Sequence, residues 1–326
     1  MMLRSWVSAF YLSTLLGTTS GCFEHSHEPL RIGINAWPGY EFLYLAQVKG
    51  FYREEGLDIK LLEFSSLSDA RRAYERGQID GLGTSVIDVL QARDSSTRSP
   101  QIVQVIDYSD GADMILARPD IPDIYALRGR SIAVEIGSLG VYVLARGLEL
   151  HDLSLSDVNL VSMDQISMEE AISKGTIDAI VSYPPTSIKL LRDATAKRLF
   201  ASSEIAGEVF DVIAVDEQVI DLRSADVAKL LHAYQKAILY TQQYPDEAYQ
   251  IMSAREGITS AELHKVMING MHIVSQDEQA DYLRSGGKLE KVIDITDRIL
   301  RQTNQIKGPD RRSGITNNTF ALNQTN

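Results

Sequence analysis

Residues 72–81 read Arg72-Ala73-Tyr74-Glu75-Arg76-Gly77-Gln78-Ile79-Asp80-Gly81, and residues 170–179 read Glu170-Ala171-Ile172-Ser173-Lys174-Gly175-Thr176-Ile177-Asp178-Ala179. Each is a helix end stopped by glycine, followed by a strand entered through Ile-Asp. Glycine suits the left-handed conformation that closes a helix, and the aspartate falls in the turn. The two segments hold equivalent places in two runs of alternating strands and helices, which reads as two related lobes.

Working outward, the first run predicts strands over residues 30–35, 57–64, 79–84 and 101–108. Helices alternate with them over 41–49, 68–77 and 86–93, the first with Phe42, Leu45, Ala46 and Val48 inward and Gly50 as its cap. The second run predicts strands over 131–135, 158–163 and 177–182, with helices over 140–150, 167–175 and 186–194. Such alternation signals βαβ units and a mainly parallel sheet in each lobe. From Ser224 onward the pattern is helical, over 226–244, 245–252, 259–270 and 287–304.

Residues 113–118 and 210–215 would carry the chain out of lobe one and back. Two crossings make a hinge, and hinged lobes close on ligands. The fold class is therefore α/β and two-lobed with a helical C-terminal part. Lobe one comprises residues 30–113 and 211–307, lobe two 114–210, and the Asn-, Thr- and Arg-rich segment 308–326 reads as a flexible tail.

The 326 residues carry a formal charge of −12, with a mean hydropathy of −0.11 and a pI near 5.0. That balance, with no basic stripe, argues against a nucleic-acid partner, since phosphate binding needs concentrated Lys and Arg. At the start, Arg4 precedes a short apolar stretch, residues 6–16, and then Thr19-Ser20-Gly21-Cys22. The apolar stretch is shorter than the roughly 20 residues a membrane span takes, and suits a secretory signal. The small residues before Cys22 resemble a bacterial lipobox, with Thr19 where leucine is usual. Residues 1–21 would then be removed, Cys22 lipidated, and 22–29 left as a tether on the periplasmic face of a bacterial membrane.

Several segments together resemble one family. They are Asn35-Ala36-Trp37-Pro38-Gly39-Tyr40, Leu45-Ala46 and residues 50–58 from Gly50-Phe51-Tyr52 to Gly56-Leu57-Asp58. The match continues through residues 77–80, 107–113 and 127–140, and through Tyr244-Pro245-Asp246-Glu247-Ala248. This looks like the periplasmic substrate-binding proteins of sulfonate, taurine, nitrate and thiamine-precursor importers, over about residues 30–305. The resemblance implies a type II periplasmic-binding fold, a small-molecule ligand in the cleft, an ABC permease as partner, a monomer, and no cofactor. A ligand-gated sensory subunit acting on a membrane receptor is the alternative output.

In open α/β sheets, ligands bind beyond the carboxyl ends of the strands. That rule selects residues 37–41, 65–68, 84–85, 107–110, 137–140 and 183–186 as cleft loops. The candidate ligand-binding residues are Trp37, Tyr40, Glu41, Thr84, Ser85, Asp107, Tyr108, Ser138, Leu139, Gly140, Tyr183 and Asp211. The aromatic members either wall the cleft or pack on their own lobe. Gly137-Ser138-Leu139-Gly140 resembles the family's ligand loop. None of these loops contains Lys or Arg, while they and their flanks hold Glu41, Asp88, Asp107, Asp110, Asp113, Glu135 and Asp211. An amine, a heteroaromatic base such as a thiamine-precursor pyrimidine, or a zwitterion is thus expected ahead of a sulfonate or nitrate.

An enzyme is not expected. A eukaryotic pyrimidine synthase that the family resembles relies on a cysteine-rich motif, and Cys22 is the single cysteine here. Of the six histidines only His25 and His27, in the tether, lie at metal-ligand spacing, and they read as solvated. The other histidines fall mostly in helical stretches, and no catalytic triad or phosphate loop stands out.

Overall fold

The computed structural model describes residues 28–322, so Cys22, His25 and His27 lie outside the described residues. The first run builds β1 (Leu30–Ile34), α1 (Glu41–Lys49), α2 (Phe51–Glu54), β2 (Ile59–Glu63) and α3 (Leu67–Glu75). It continues through β3 (Gly81–Ser85), α4 (Val86–Ser95) and β4 (Pro100–Ser109). The second run builds β5 (Met114–Ala117), β6 (Ser131–Val134), α5 (Leu139–Glu149), β7 (Asn159–Ser162) and α6 (Gln165–Ser173). It ends with β8 (Ala179–Ser182), α7 (Thr186–Arg192) and β9 (Lys197–Ala201). The chain returns through β10 (Phe210–Asp216) into α8 (Glu217–Gln243), α9 (Pro245–Glu256), α10 (Ser260–Asn269) and β11 (Met271–Ile273). It closes with α11 (Gln279–Leu283), α12 (Lys288–Gln302) and α13 (Thr319–Leu322).

The strands form two sheets, ordered β11-β4-β10-β3-β1-β2 and β7-β6-β8-β5-β9. In each, a parallel trio (β2-β1-β3 and β7-β6-β8) meets a strand that has just crossed from the other lobe. β10 in lobe one and β5 in lobe two both run antiparallel to their neighbours. The expected mainly parallel sheets are therefore mixed, because a crossing strand enters its sheet from the cleft side, against the direction of the βα units.

The echoed segments have the same job in each lobe. Gly77 and Gly175 take φ of 72° and 69°, the left-handed cap. Asp80 accepts the Arg31 backbone N–H at 2.8 Å, and Asp178 accepts that of Ser131 at 3.0 Å. Each aspartate thus ties the start of its lobe's first parallel strand to the turn before the third. Arg31 and Arg130 complete these ties as ion pairs, at 2.6 Å and 3.2 Å.

Three expectations need correcting. Val48 on α1 is 48% exposed, at the edge of that helix's apolar face. His272 lies on β11, where three residues pair with β4, too short a run for strand periodicity to show. The polar segment over residues 309–322 is packed on lobe one rather than loose. Arg93 donates to the carbonyls of Arg311 and Ser313, both at 2.7 Å, and Ile102 N–H donates to Ile315 O at 2.7 Å. Ile315 and Phe320 are buried. Its order comes from backbone carbonyls that composition does not reveal.

Candidate functional site

The carboxyl ends of the parallel strands in both sheets face one another across the crossings, and the site is built there. β4 and β10 place Asp107 directly opposite Asp211, and β3 places Ser85 opposite Asp211 on its other side. Cross-strand partners on one face stand about 5 Å apart at Cβ, so the two carboxylates are held together by register. Trp37 Nε1 donates to Asp107 Oδ2 at 3.2 Å, and the Tyr40 hydroxyl donates to Asp211 Oδ1. Gly39 makes this possible, because any Cβ there would collide with the Asp107 carboxylate.

A second acidic group sits at the start of α4 and α5. Ser85 caps α4 and its Oγ donates to Asp88 Oδ2 at 2.6 Å. Ser138 of lobe two, the residue that caps α5, reaches the same oxygen at 3.4 Å. The cap of α5 therefore already meets a carboxylate of the protein. Lobe two adds Tyr183, whose hydroxyl donates to Glu135 Oε2 at 3.3 Å and accepts from Asn35 Nδ2 at 3.4 Å. The Trp37 and Tyr183 rings meet edge to face at 6.1 Å across the lobes.

Together Asn35, Trp37, Tyr40, Leu67, Asp113, Leu139, Tyr183 and Asp211 enclose a cavity of about 10 Å³. That is room for about one water, so a larger solute enters with the lobes apart. Among the described residues no histidine or cysteine lines it.

Burial dominates the electrostatics. It lifts the Asp107 carboxyl to about 7 and Asp113 to about 6. Burial, then the charge of Asp88, lifts Glu135 to about 8. Burial, then the facing Asp107, drives Asp211 well above the carboxylate range, and burial raises Asp88. Asn35 Oδ1, Thr84 Oγ1, Asp88 Oδ1, Asp107 Oδ1, Asp113 Oδ2 and Asp211 Oδ2 are all buried without a hydrogen-bond partner. Apart from the Thr84 hydroxyl, these atoms can only accept unless a carboxyl is protonated. The nearby cation is Arg71, from α3, with Nε 3.8 Å from Asp88 Oδ1 and Nη2 donating to Gly137 O at 2.9 Å.

The structure brings together Trp37, Tyr40, Ser85, Asp107, Ser138, Leu139, Tyr183 and Asp211 of the expected residues. It separates four. Thr84 pairs with Val212, one position from the Ser85–Asp211 pair, and so points to the other face of the sheet. Glu41 is fully buried but turns into lobe one, where it pairs with Arg255 of α9. Tyr108 stacks on His272 at 4.9 Å and meets Phe210 at 5.3 Å. Alternation along β4 points it to the opposite face from Asp107, so only one of the two can reach the cleft. Gly140 serves packing: a Cβ there would approach Val134 Cγ2 to 2.9 Å. Asn35 and Arg71 were missed, and Leu67 lies in the selected loop 65–68 without having been named among the ligand-binding residues. Asn35 is the first residue beyond β1, where the strand-end rule could have found it. Arg71 reaches in from within a helix, and nothing in its local sequence marks it.

A pair of mixed α/β lobes with the cavity between them defines a protein of the periplasmic-binding-protein fold. The alkanesulfonate-binding protein SsuA from Xanthomonas axonopodis pv. citri, solved bound to MOPS, superposes with a TM-score of 0.74 at 18% identity, over 87% of this chain and 95% of that one. The desulfurization enzyme DSZB shares the fold too, with a TM-score of 0.63 at 17% identity, over 91% of this chain and 99% of that one.

The family model described as "NMT1/THI5 like" matches residues 37–248, and the chain belongs to that family. A relative from Bacillus subtilis (strain 168), named "Putative aliphatic sulfonates-binding protein", is 25% identical over 321 residues, 89% of this chain and 92% of its own. The 4-amino-5-hydroxymethyl-2-methylpyrimidine phosphate synthase of Aspergillus parasiticus is 28% identical over 146 residues, 44% of this chain and 42% of its own.

Proposed function

We propose that this chain is an extracytoplasmic solute-binding lipoprotein that captures a small molecule between its lobes and delivers it to an ABC permease. Cys22 carries the lipid, the protein works as a monomer on the periplasmic face of the membrane, and it performs no catalysis. The named sulfonate-binding relatives and the shared fold support the binding role, and the small residues before Cys22 support the anchor.

The ligand carries a positive or protonatable nitrogen: an amine, a pyrimidine-like base or a zwitterion. One observation carries this reading. Buried oxygens of Asp107, Asp113 and Asp211 lie at the cavity without a hydrogen-bond donor or an ion-pair partner among the described residues, and an ammonium or protonated ring would supply them. A sulfonate would meet those carboxylates, and at the α5 N-terminus, which suits an anion, the capping Ser138 already reaches Asp88 at 3.4 Å. Binding would shift an open–closed equilibrium, since only the closed form lets both lobes touch the solute.

Mass spectrometry of the molecule that co-purifies with the protein, followed by thermal-shift titration, tests the reading. Amines or aminopyrimidines should raise the melting temperature, and taurine and alkanesulfonates should not; the reverse result overturns the ligand class. Cys22→Ser should release the protein from membranes, and retention of that variant would refute the anchor.

A further inference from the structure

Glu135 belongs to two spaces. On one side its carboxylate receives the Tyr183 hydroxyl of the acidic cavity. On the other it forms the inner wall of a larger groove, of about 330 Å³, between the two lobes. Lobe one contributes the first turn of α3, with Ser66 as its cap and Ser68 behind it. Lobe two contributes the end of β7 and the first turn of α6, with Ser162 and Ser167 on the groove. The segment from β7 to α6 is not among the loops that sequence reasoning placed at the site.

The charges of this groove are already matched or acidic. Arg72 pairs with Asp69 at 2.6 Å, and Asp164 caps α6 through the Ser167 N–H at 2.8 Å. With Glu135 buried at the inner wall, a carboxylate or sulfonate tail would meet three acids and one committed arginine. An alkyl tail would find Ile136 and Met163 but offer nothing to the hydroxyls of Ser162 and Ser167, which make no side-chain hydrogen bond among the described residues, whereas Ser66 and Ser68 bond each other at 3.2 Å and Ser66 donates to Asp69 at 2.9 Å. Hydroxyl groups both donate and accept, so Ser162 and Ser167 on the lobe-two wall suit a chain of hydroxyls.

Resting on the reading that a cationic nitrogen occupies the inner cavity, we propose that this groove is a second subsite that holds a neutral, hydroxylated tail of the same ligand. The solute is then an elongated amine, with its nitrogen among Asp88, Asp107 and Asp211 and its hydroxyls between α3 and α6, passing Glu135.

Calorimetric titration with four primary amines of six-carbon chain tests this: glucamine, n-hexylamine, 6-aminohexanoate and 1,6-diaminohexane. Glucamine should bind at least about 10-fold tighter than n-hexylamine, two hydrogen bonds to neutral groups sufficing for that ratio. The double variant Ser162→Ala/Ser167→Ala, both positions exposed, should weaken glucamine by about 3- to 10-fold and leave n-hexylamine unchanged. Equal affinities for the two amines, or equal losses in the variant, overturn the subsite while leaving the cationic reading standing. Tighter binding of 6-aminohexanoate or 1,6-diaminohexane overturns its hydroxylated chemistry. If none of the four binds, the cationic reading itself fails and the subsite with it.

Discussion

Two acidic clusters meet the chain at the consecutive residues Tyr40 and Glu41, and they are resolved in different ways. Around Glu41, the acids share a cation of the protein: Arg255 pairs with Glu41, approaches Glu63 to 3.3 Å and Glu256 to 3.9 Å. Around Tyr40, Asp107, Asp113 and Asp211 have no arginine or lysine within ion-pair distance among the described residues. Burial and Glu256 still push the Glu41 carboxyl up against the pull of Arg255. Glu41 Oε2 and both Glu256 oxygens also lack hydrogen-bond partners, so the contrast is between acids that the fold supplies with a cation and acids that it does not.

Removing the cation from the closed cluster should have the largest effect. Arg255→Met leaves Glu41 and Glu256 buried without their partner, and chemical denaturation should show a loss of about 3–5 kcal/mol. A loss under about 1 kcal/mol would mean the two clusters do not differ in kind.

The open cluster should behave the other way round. Asp211→Asn or Asp107→Asn should weaken a bound amine by about 1.5–3 kcal/mol, the worth of a hydrogen bond to a charged group, without lowering the stability of the free protein. An asparagine variant that loses stability but keeps its amine affinity would place these residues among the fold's own supports.

Next comes pH. An unfolded carboxyl titrates near 4, and burial lifts Asp107 to about 7 and Glu135 to about 8. Between those limits the folded state binds more protons than the unfolded state, so stability falls as pH rises from about 5 to about 8. Each such group contributes about 1.4 kcal/mol per pH unit inside its own window. Amine binding should flatten the slope and release protons, which calorimetry in buffers of different ionisation enthalpy reads directly. A stability that climbs over this range would contradict the buried, unpaired state of these acids.

The smallest effect is expected at Tyr108. Because it faces away from the cavity, Tyr108→Phe should leave amine affinity unchanged and stability within about 0.5 kcal/mol. By contrast Tyr183→Phe removes the hydroxyl that bridges Asn35 and Glu135, and should weaken binding. Equal responses from the two tyrosines would undo the assignment of faces.

Much of this was legible before any coordinates. Glycine caps and Ile-Asp entries marked two related lobes because each is a local requirement: a left-handed residue ends the helix, and a carboxylate meets free strand N–H groups. The α1 bounds and most strands followed from periodicity for the same reason. The acidity of the cleft was legible too, since strand-end loops are contiguous in sequence. What escaped was side-chain direction and reach. Glu41 and Tyr108 sit beside true cavity residues, but one helix turn and one strand pleat send them elsewhere. Arg71 and Ser162 come to the cleft from elements whose sequence carries no mark of it. The segment after residue 308 looked loose because composition counts polar residues and not the carbonyls that Arg93 binds.

The sequence by itself determined the α/β alternation, the pairing of two lobes and the excess of acids over bases at their facing edges. These depend on neighbours within a few positions along the chain. Only the tertiary structure decided that Asp107 stands opposite Asp211, that Glu41 has a cation and they do not, and that Asp88 meets the cap of α5. Those outcomes depend on strand register and on which helix packs against which, neither of which is fixed by neighbours along the chain.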